Sequence, residues 1–250
     1  MLCSTTLFSS GVNVAKMPAL LLSIWISTTS MIRFTRLDFN NAPKTLLRNG
    51  RLANARVWRV ELNGKTWTVK DFSDRPWYIR NTIGRFLLRR EVYFLNRLEG
   101  VEGISQNAFR MDAFAMAVEF TEGTGLAQVP ETQITPEFLC QFEALLKRIH
   151  ARDVVHLDCR GMGNILYRPD GTPALIDFQS GMDTRRLPRF LGRILKDIDI
   201  SGVLKRWQAV HPELMGQARL DELERIERWR RLWAFKGYFG IDKNAPKKRR

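Results

Sequence analysis

Alternating apolar and polar residues near the start of the chain indicate a β-hairpin. Residues 57–72 read VWRVELNGKTWTVKDF, and the recurrence of apolar side chains at every second position is typical of a strand with one buried face. Asn63 and Gly64 tolerate the positive φ angles of a tight two-residue turn. The apolar run FAMAVEF at 114–120 predicts a further, buried strand.

Apolar residues at helical spacing predict two amphipathic helices. The first covers residues 76–98, and its proline suits the first turn; the apolar positions are Ile79, Ile83, Phe86, Leu87, Val92 and Leu95. The second covers residues 135–150, where Thr135 can cap the helix and Pro136 can open it. Its predicted apolar face consists of Phe138, Phe142, Leu145 and Ile149.

The second half of the chain combines one short hairpin with further helices. Residues 164–178 read NILYRPDGTPALIDF, two short apolar runs around the turn-forming residues Pro169, Asp170 and Gly171. Residues 185–236 are mostly helical in pattern. A strand-rich half with one helix, followed by a largely helical half, predicts an α+β fold. A chain of 250 residues can form one core or two small lobes around a cleft.

The charge of the chain is strongly positive. Lys and Arg number 40 against 26 Asp and Glu, a net charge of +14, and residues 182–250 hold 18 of the cations and 9 of the anions. Such a surplus favours polyanionic partners, namely nucleic acid, an anionic membrane face or a phosphorylated substrate. The 3 cysteines show no paired spacing, which indicates neither a disulfide framework nor a zinc site and fits a reducing compartment.

Residues 1–30 differ in character from the rest. They contain the apolar run MPALLLSIWIS at 17–27, which is short for a membrane span. A signal-sequence core is a second interpretation, although only Lys16 precedes the run. The third interpretation is that translation begins at Met31. No functional assignment rests on this segment.

Polar side chains in a glycine-containing loop indicate a functional site in the second half of the chain. Residues 154–167 read VVHLDCRGMGNILY, so that Asp158 and Asn164 stand between two apolar runs. Asp177 follows the apolar run ALI at a strand end, where an unpaired buried carboxylate would be costly. These positions are therefore candidates for chemistry rather than for packing.

Two further charged residues lie in the first half. Lys70 stands near the end of the second hairpin strand, and Glu91 is the one carboxylate beside six arginines in residues 75–98. Taken alone, Glu91 would be expected to pair with a local arginine at the surface. Together with the loop residues, however, the set suits phosphoryl transfer, which needs a cation on the nucleotide phosphates, an anion to hold it, oxygen donors for magnesium and a carboxylate that takes a proton.

At this point the sequence resembles the protein-kinase-like superfamily. His156-Leu157-Asp158 is similar to the His-Arg-Asp of a kinase catalytic loop, Asn164 to its magnesium-binding asparagine, and Asp177-Phe178-Gln179 to the Asp-Phe-Gly motif. Val69-Lys70 resembles the third-strand lysine, with Glu91 as its helical partner. Val118-Glu119-Phe120 resembles the strand that leads to the adenine-binding hinge. The order of these elements agrees over residues 45–181.

The resemblance implies a two-lobed fold with ATP and Mg²⁺ as cofactors. An antiparallel sheet with one main helix would form an N-lobe over residues 31–122, and a reduced, mostly helical C-lobe would cover residues 123–236. Residues 1–30 would be an N-terminal extension, and residues 237–250 a basic tail.

The resemblance also implies roles for residues of the catalytic loop. Asp158 would orient or deprotonate the acceptor hydroxyl, and Arg160 would offset charge on the transferring phosphoryl group. Asn164 and Asp177 would hold magnesium. His156 would brace the loop rather than take part in the reaction.

The nucleotide would be bound mainly by the N-lobe. Lys70 would contact its α- and β-phosphates and be positioned by Glu91, while Gly50 is the available glycine for a phosphate-covering loop. The backbone from Glu119 to Thr121 would hydrogen-bond adenine. Three more polar residues are interpreted as structural, namely His150, Asp197 and Asp199.

Four departures from the family pattern narrow the assignment. No Gly-x-Gly-x-x-Gly precedes the hairpin, five residues rather than four separate Asp158 from Asn164, Gln179 replaces a glycine, and no Ala-Pro-Glu follows. The extra residue would either be absorbed by Gly161 and Gly163 or keep Asn164 from the metal. The missing peptide-docking platform favours small bacterial relatives, the lipopolysaccharide-core sugar kinases of the 3-deoxy-octulosonic acid kinase type and the RIO-type atypical kinases.

Several functions stay open at the level of the sequence. The first is a cytoplasmic phosphotransferase acting on an anionic sugar or lipid-linked acceptor, with a RIO-like serine/threonine kinase as its variant. The second is a pseudokinase that binds ATP without turnover, and the third, suggested by charge alone, is a nucleic-acid-binding protein. The amphipathic segment at 223–239 and the basic tail leave two interpretations open: a core-packing helix with a solubilising end, or peripheral contact with the inner face of an anionic membrane. The oligomeric state does not follow from the sequence.

Overall fold

The predicted hairpin lies at the centre of a five-stranded antiparallel sheet. The computed structural model describes residues 33–51 and 53–232. Across the sheet the strands follow the order Lys44–Arg48, Arg56–Leu62, Lys65–Asp71, Ala115–Glu119 and Phe109–Arg110, and every neighbouring pair is antiparallel. Asn63 and Gly64, with φ angles of 55° and 72°, form the predicted turn. The strands are β1 (Lys44–Arg48), β2 (Arg56–Leu62), β3 (Lys65–Asp71), β4 (Phe109–Arg110) and β5 (Ala115–Glu119).

The two faces of this sheet pack against different partners. On one face, Trp67 and Val69 of β3 form an apolar cluster with Phe34, Phe39 and their neighbours, and helix α1 (Arg36–Asn41) covers it. Successive side chains of a strand point to opposite faces. Lys70, adjacent to Val69, therefore points to the other face, towards the main helix and the second lobe.

The predicted helix over 76–98 forms, but it contains a wide turn. An α-helical turn (Trp77–Ile79) leads into a π-helical segment (Arg80–Gly84), and helix α2 (Arg85–Arg97) follows. The predicted apolar face is wrong at Ile83 and Phe86, which are exposed. A π-turn closes over five residues instead of four, so that Gly84, rather than Ile83, lies beneath Ile79.

The packing of the main helix against Phe72 requires glycine at position 84. A Cβ at this position would lie 2.9 Å from the Phe72 ring, so the helix approaches the sheet more closely than another side chain would allow. Beyond Gly84, the inward positions of α2 follow regular α-helical spacing; they are Leu88, Glu91, Phe94 and Leu95.

The second lobe is mainly helical, as predicted. Helix α3 begins after Thr135, whose hydroxyl accepts a hydrogen bond from the Phe138 N–H, and it buries the predicted apolar face. The helices are α3 (Pro136–Ala151), α4 (Arg189–Val210) and α5 (Gln217–Leu232). The short strands are β6 (Thr124–Gly125), β7 (Val154–Val155), β8 (Ile165–Tyr167), β9 (Pro173–Leu175) and β10 (Met182–Asp183). Strands β6, β8 and β9 form one small sheet, and β7 pairs with β10.

These elements confirm the α+β, two-lobed organisation: an antiparallel sheet with one main helix, followed by a reduced helical lobe. Residues 1–30, the basic tail at 237–250 and much of the amphipathic segment at 223–239 lie outside the described residues. Among the described helices, none is both long and apolar enough to cross a membrane.

Candidate active site

His156 braces the start of the loop that follows strand β7. Its ring is fully buried and packs edge-on against Phe178, with 4.7 Å between ring centroids. Nδ1 accepts the Asp158 N–H at 3.2 Å, and Nε2 lies 3.0 Å from the Ile176 carbonyl oxygen. These two contacts suit a neutral ring with its proton on Nε2. Burial lowers the pKa of His156, against the opposing influence of nearby carboxylates.

Asp199 of α4 accepts hydrogen bonds from the backbone of the same loop. One of its carboxylate oxygens accepts the His156 N–H at 2.7 Å, and the other accepts the Leu157 N–H at 2.8 Å. It also lies 3.1 Å from Nε2 of His150. Leu157 has a φ angle of 64°, which is unfavourable for a branched side chain. The buried carboxylate therefore stabilises a backbone conformation that the local sequence disfavours.

The extra residue of the loop is absorbed by two consecutive turns. The Gly161 N–H donates to the Asp158 carbonyl at 3.3 Å, and the Asn164 N–H donates to the Gly161 carbonyl at 2.9 Å. As a result, Nδ2 of Asn164 donates to Oδ2 of Asp158 at 2.8 Å. Asn164 therefore lies beside Asp158 despite the extra residue, and its contact with magnesium stays a prediction.

Lys70, Glu91 and Asp177 meet between the two lobes. The Lys70 ammonium lies 2.7 Å from Oε1 of Glu91 and 2.8 Å from Oδ1 of Asp177. Asp177 has a left-handed backbone, with φ 70° and ψ 67°. The Ile176 N–H donates to the Asn164 carbonyl at 3.0 Å, which places the backbone of Asn164 next to that of Asp177.

Gln179 completes the surroundings of Glu91. Its Nε2 donates to Oε2 of Glu91 at 3.1 Å, so each oxygen of this buried carboxylate has a partner. The surface pairing expected for Glu91 taken alone is therefore wrong, and the pairing implied by the resemblance is the one observed. The glycine expected at position 179 could not make this contact.

The electrostatics of this cluster favour an additional cation. Burial lowers the pKa of Lys70, but the charges of Glu91 and Asp177 outweigh that effect and raise it. Burial raises the pKa of Glu91, and Asp177 acts in the same direction. Burial would also raise the pKa of Asp177, but Lys70, followed by His156 and Arg48, lowers it. One ammonium between two carboxylates leaves net negative charge, which a bound cation would balance.

Two oxygen atoms at this site are suited to magnesium. Among the described residues, no group donates a hydrogen bond to Oδ2 of Asp177 or to Oδ1 of Asn164. Lys70 contacts Oδ1 of Asp177, and Asn164 donates through its Nδ2 to Asp158. Among the residues that the structure describes, no three His, Cys, Asp or Glu side chains converge as a metal site. Magnesium bound to a nucleotide needs only one or two protein oxygens, because phosphates and waters supply the rest. The residues present therefore fit the ion.

Arg160 of the catalytic loop contacts helix α4. Its guanidinium donates to Oγ of Ser201 at 3.0 Å, and Ser201 is a fully buried residue of α4. This contact ties the catalytic loop to α4, as Asp199 does. A catalytic role for Arg160 stays a prediction.

Gly50 lies in the loop between β1 and β2, where a phosphate-covering loop is expected. Its φ angle is 65°, and a Cβ would lie 2.4 Å from the Ala55 carbonyl oxygen, so the tight turn itself requires glycine. Nε of Arg75 donates to the Asn54 carbonyl at 2.9 Å and holds the loop to the sheet. Contact of Gly50 with nucleotide stays a prediction.

The hinge residues use their side chains for internal contacts. Oε1 of Glu119 accepts from Nδ2 of Asn107 at 2.8 Å and pairs with Lys65. The Thr121 hydroxyl lies 2.6 Å from that of Ser105. The N–H groups of Glu119 and Phe120 also donate to carbonyl groups of the chain, and the adenine contact of the backbone from Glu119 to Thr121 stays a prediction.

Sequence reasoning undervalued one residue of the site. Asp199 was interpreted only as a structural acid, yet it organises the backbone around Asp158. The signal that could have found it is its position in RILKDIDIS, one of two acids in an otherwise apolar and basic helix.

Comparison with solved structures defines the class of the fold. The chain is similar to two structures of Rio2 kinase from Chaetomium thermophilum, one of them a complex with ADP/Mg²⁺ and phosphoaspartate. For that complex the TM-score is 0.52 at 14% identity, over 77% of this chain and 72% of the other. For the second structure the TM-score is 0.51 at 15% identity, over 77% and 74%. The chain thus has a two-lobed, protein-kinase-like fold similar to that of these Rio2 structures.

No family model matches the sequence, and no curated protein matches it either. The similarity to the Rio2 structures is therefore a similarity of fold.

Proposed function

We propose that this protein is an ATP- and Mg²⁺-dependent phosphotransferase with a hydroxyl acceptor. The observation that carries the proposal is the convergence of Lys70, Glu91 and Asp177, together with the contact between Asp158 and Asn164. The Rio2 structure that contains ADP/Mg²⁺ supports the same cofactors for this cleft.

Each residue has a defined task in this reaction. Lys70 neutralises charge on the nucleotide phosphates, and Glu91 holds the ammonium in place. Asp158 accepts the proton of the acceptor hydroxyl while that oxygen bonds to the γ-phosphorus and the bond to the ADP oxygen breaks. Asp177 and Asn164 would hold magnesium, which neutralises charge on the phosphates when bound.

We further propose an anionic sugar or lipid-linked sugar as the acceptor. The segment between Asp177 and α4 spans only residues 178–188, which leaves little room for a platform that docks a peptide. Arg186, Arg189 and Arg193 are exposed where this segment meets α4. A basic surface beside the cleft suits a phosphorylated or carboxylated acceptor. In this proposal the enzyme acts in the cytoplasm.

A RIO-like serine/threonine protein kinase is the second candidate. The observation that favours it is the fold similarity to the two Rio2 structures. A pseudokinase would bind ATP through the same cleft without turnover, but it would not require the Asp158–Asn164 arrangement.

Labelled ATP separates these functions. The purified chain is incubated with γ-labelled ATP and Mg²⁺ alone, with isolated lipopolysaccharide core, and with a protein extract, and Asp177→Asn serves as the inactive control. Label in the sugar fraction supports the favoured acceptor, and label in proteins supports the RIO-like alternative. ATP binding with no label transfer in any fraction would identify a pseudokinase and refute the proposal.

A further inference from the structure

Four large apolar side chains are exposed over residues 77–86, in the first part of the helical segment that carries Glu91. Their exposed fractions are 70% for Trp77, 50% for Tyr78, 45% for Ile83 and 58% for Phe86. Single exposed apolar residues are ordinary, but a contiguous patch marks an interaction site. These four fall within ten consecutive positions of one helical segment.

The packing of the segment keeps these side chains outward. Ile79 and Gly84 occupy the inward side, and Gly84 fits only because it has no side chain against Phe72. Rotation of the segment to bury Ile83 would remove Gly84 from this contact and place a larger residue there. The exposure of the patch is therefore a consequence of the π-turn.

The charge on the helical segment that carries the patch is mainly positive. Residues 75–98 contain six arginines and a single carboxylate, Glu91, which is buried against Lys70. Neither Arg85 nor Arg89 forms an ion pair with a carboxylate of the described residues. Burial lowers the pKa of Arg110, the charges of Arg89 and then Arg85 lower it further, and Asp112 acts in the opposite direction. Arg85 and Arg89 thus lie close enough to Arg110 to repel it, and additional negative charge at the surface would relieve this repulsion.

We propose that this surface, which we call the α2 outer face (Trp77, Tyr78, Ile83, Arg85, Phe86 and Arg89), docks on a lipid bilayer with anionic headgroups. Tryptophan and tyrosine favour the boundary between headgroups and acyl chains, and arginines bind anionic lipids. The face is one convex side of a helix and has no walls to enclose a peptide. A flat bilayer can receive all four apolar side chains at once.

Docking by this face brings the candidate active site close to the bilayer. The guanidinium of Arg90 lies 5.6 Å from the ring centroid of Phe86, a member of this face. Nε of Arg90 also donates to the Gly181 carbonyl at 2.9 Å. Arg90 thus links the α2 outer face to the segment that follows Asp177. This consequence rests on the proposed phosphotransferase, in that a membrane-bound acceptor would meet the cleft, but the docking itself does not.

Vesicle co-sedimentation of the full chain tests the proposal. Vesicles of phosphatidylcholine alone are compared with vesicles that also contain phosphatidylglycerol. The chain is expected to bind only the latter, and more weakly as salt rises. Trp77→Ser combined with Ile83→Ser is expected to reduce the partition coefficient by at least about tenfold, because both side chains lose apolar burial. Arg85→Gln and Arg89→Gln are each expected to reduce it about fivefold.

Matched control variants separate this face from general charge and hydrophobicity. Leu37→Ser removes an equally exposed apolar side chain (68%), and Arg148→Gln removes an exposed arginine of α3; neither should change binding. Thermal unfolding confirms that every variant is folded. Because only vesicle binding is measured, the result is independent of phosphotransfer.

Three outcomes would overturn the proposal. The first is that the native chain binds neither kind of vesicle. The second is that the α2 outer face variants bind as well as the native chain, which would assign membrane binding to another segment. The third is that the variants lose binding to an acidic soluble protein while vesicle binding stays unchanged, which would identify the face as a protein interface.

Discussion

Lys70 and Asp177, which are 107 residues apart in the chain, form an ion pair of 2.8 Å between the two lobes. The ammonium is nearly buried and bonds at the same time to Glu91 of α2. One side chain thus joins the sheet, the main helix and the strand end of the second lobe. Because buried charges need partners, this contact couples the geometry of the cleft to the stability of the fold.

Lys70→Met is expected to lower both stability and nucleotide affinity. Loss of the ammonium leaves Glu91 and Asp177 without their cation, and breaking such a buried pair costs about 3 kcal/mol. Denaturant unfolding at neutral pH measures the change. Lys65→Met is the matched control, because its pair with Glu119 is more exposed and should contribute less than about 1 kcal/mol. Equal effects of the two variants would contradict the central role of Lys70.

Asp158→Asn is expected to reduce turnover without weakening nucleotide binding. An amide cannot accept the hydroxyl proton, and the loss of a general base typically costs about 10² to 10⁴ in rate. Single-turnover transfer from labelled ATP and calorimetric titration with ADP measure the two quantities. Asp170→Asn, in the exposed turn between β8 and β9, should leave both unchanged. A loss of ADP affinity equal to the loss in rate would contradict the assigned role.

Asp199→Asn is expected to weaken the catalytic loop rather than the nucleotide site. The two oxygens of Asp199 accept the N–H groups of His156 and Leu157. An asparagine has only one oxygen, so one of these N–H groups would face an NH₂ donor and lose its acceptor, which costs about 1–3 kcal/mol of stability. We expect turnover to fall while the KM for ATP changes little. Asp197→Asn is a close control, because that carboxylate pairs with the half-exposed Arg225. If Asp197→Asn has the larger effect on stability, the role given to Asp199 is wrong.

Gly84→Ala is expected to destabilise the N-lobe. The new Cβ would meet the Phe72 ring at 2.9 Å, and overpacking of this kind costs about 1–3 kcal/mol. Since the same helix carries Glu91, ATP affinity should fall as well. Gly163→Ala serves as the stability control, because no heavy atom lies within 4 Å of its added Cβ. A melting temperature unchanged by Gly84→Ala would show that the π-turn does not depend on this glycine.

His156 is expected to make stability depend on pH in mildly acidic solution. Its pKa in the folded protein is lowered from the ordinary value of 6.5 by burial, so the unfolded chain binds the proton more readily. The stabilisation is therefore present above pH 6.5 and is lost as pH falls towards the folded-state value, with a slope of at most about 1.4 kcal/mol per pH unit. Unfolding free energies of the native chain and His156→Gln across this range measure it. A variant with the same slope as the native chain would contradict this role of His156.

Local signals in the sequence were sufficient for several elements. The Asn63-Gly64 turn and the Thr135-Pro136 start of α3 were both predicted, because each depends on the backbone preferences of the residues themselves. The members of the candidate site were also recognisable, since their types and order match phosphoryl-transfer chemistry. Their roles remain predictions, but the structure does bring Lys70, Glu91 and Asp177 together.

The inward face of the main helix could not be predicted in the same way. With 3.6 residues per turn, a regular helix from Ile79 would turn Glu91 well away from the core. The π-turn adds one residue and aligns Ile79, Gly84 and Glu91 on one side. The contact of Gly84 with Phe72 belongs to the packed sheet and is absent from any short window of sequence.

The amino-acid sequence by itself thus determined where several of the strands and helices form and which side chains are available for chemistry, because those properties depend on neighbours within a few positions. Only the tertiary structure decided which way α2 faces, how the extra loop residue is absorbed, and that Asp199 supports the backbone at Leu157. Each of these depends on burial and on hydrogen bonds between residues far apart in the chain. Such contacts exist only once the lobes are packed.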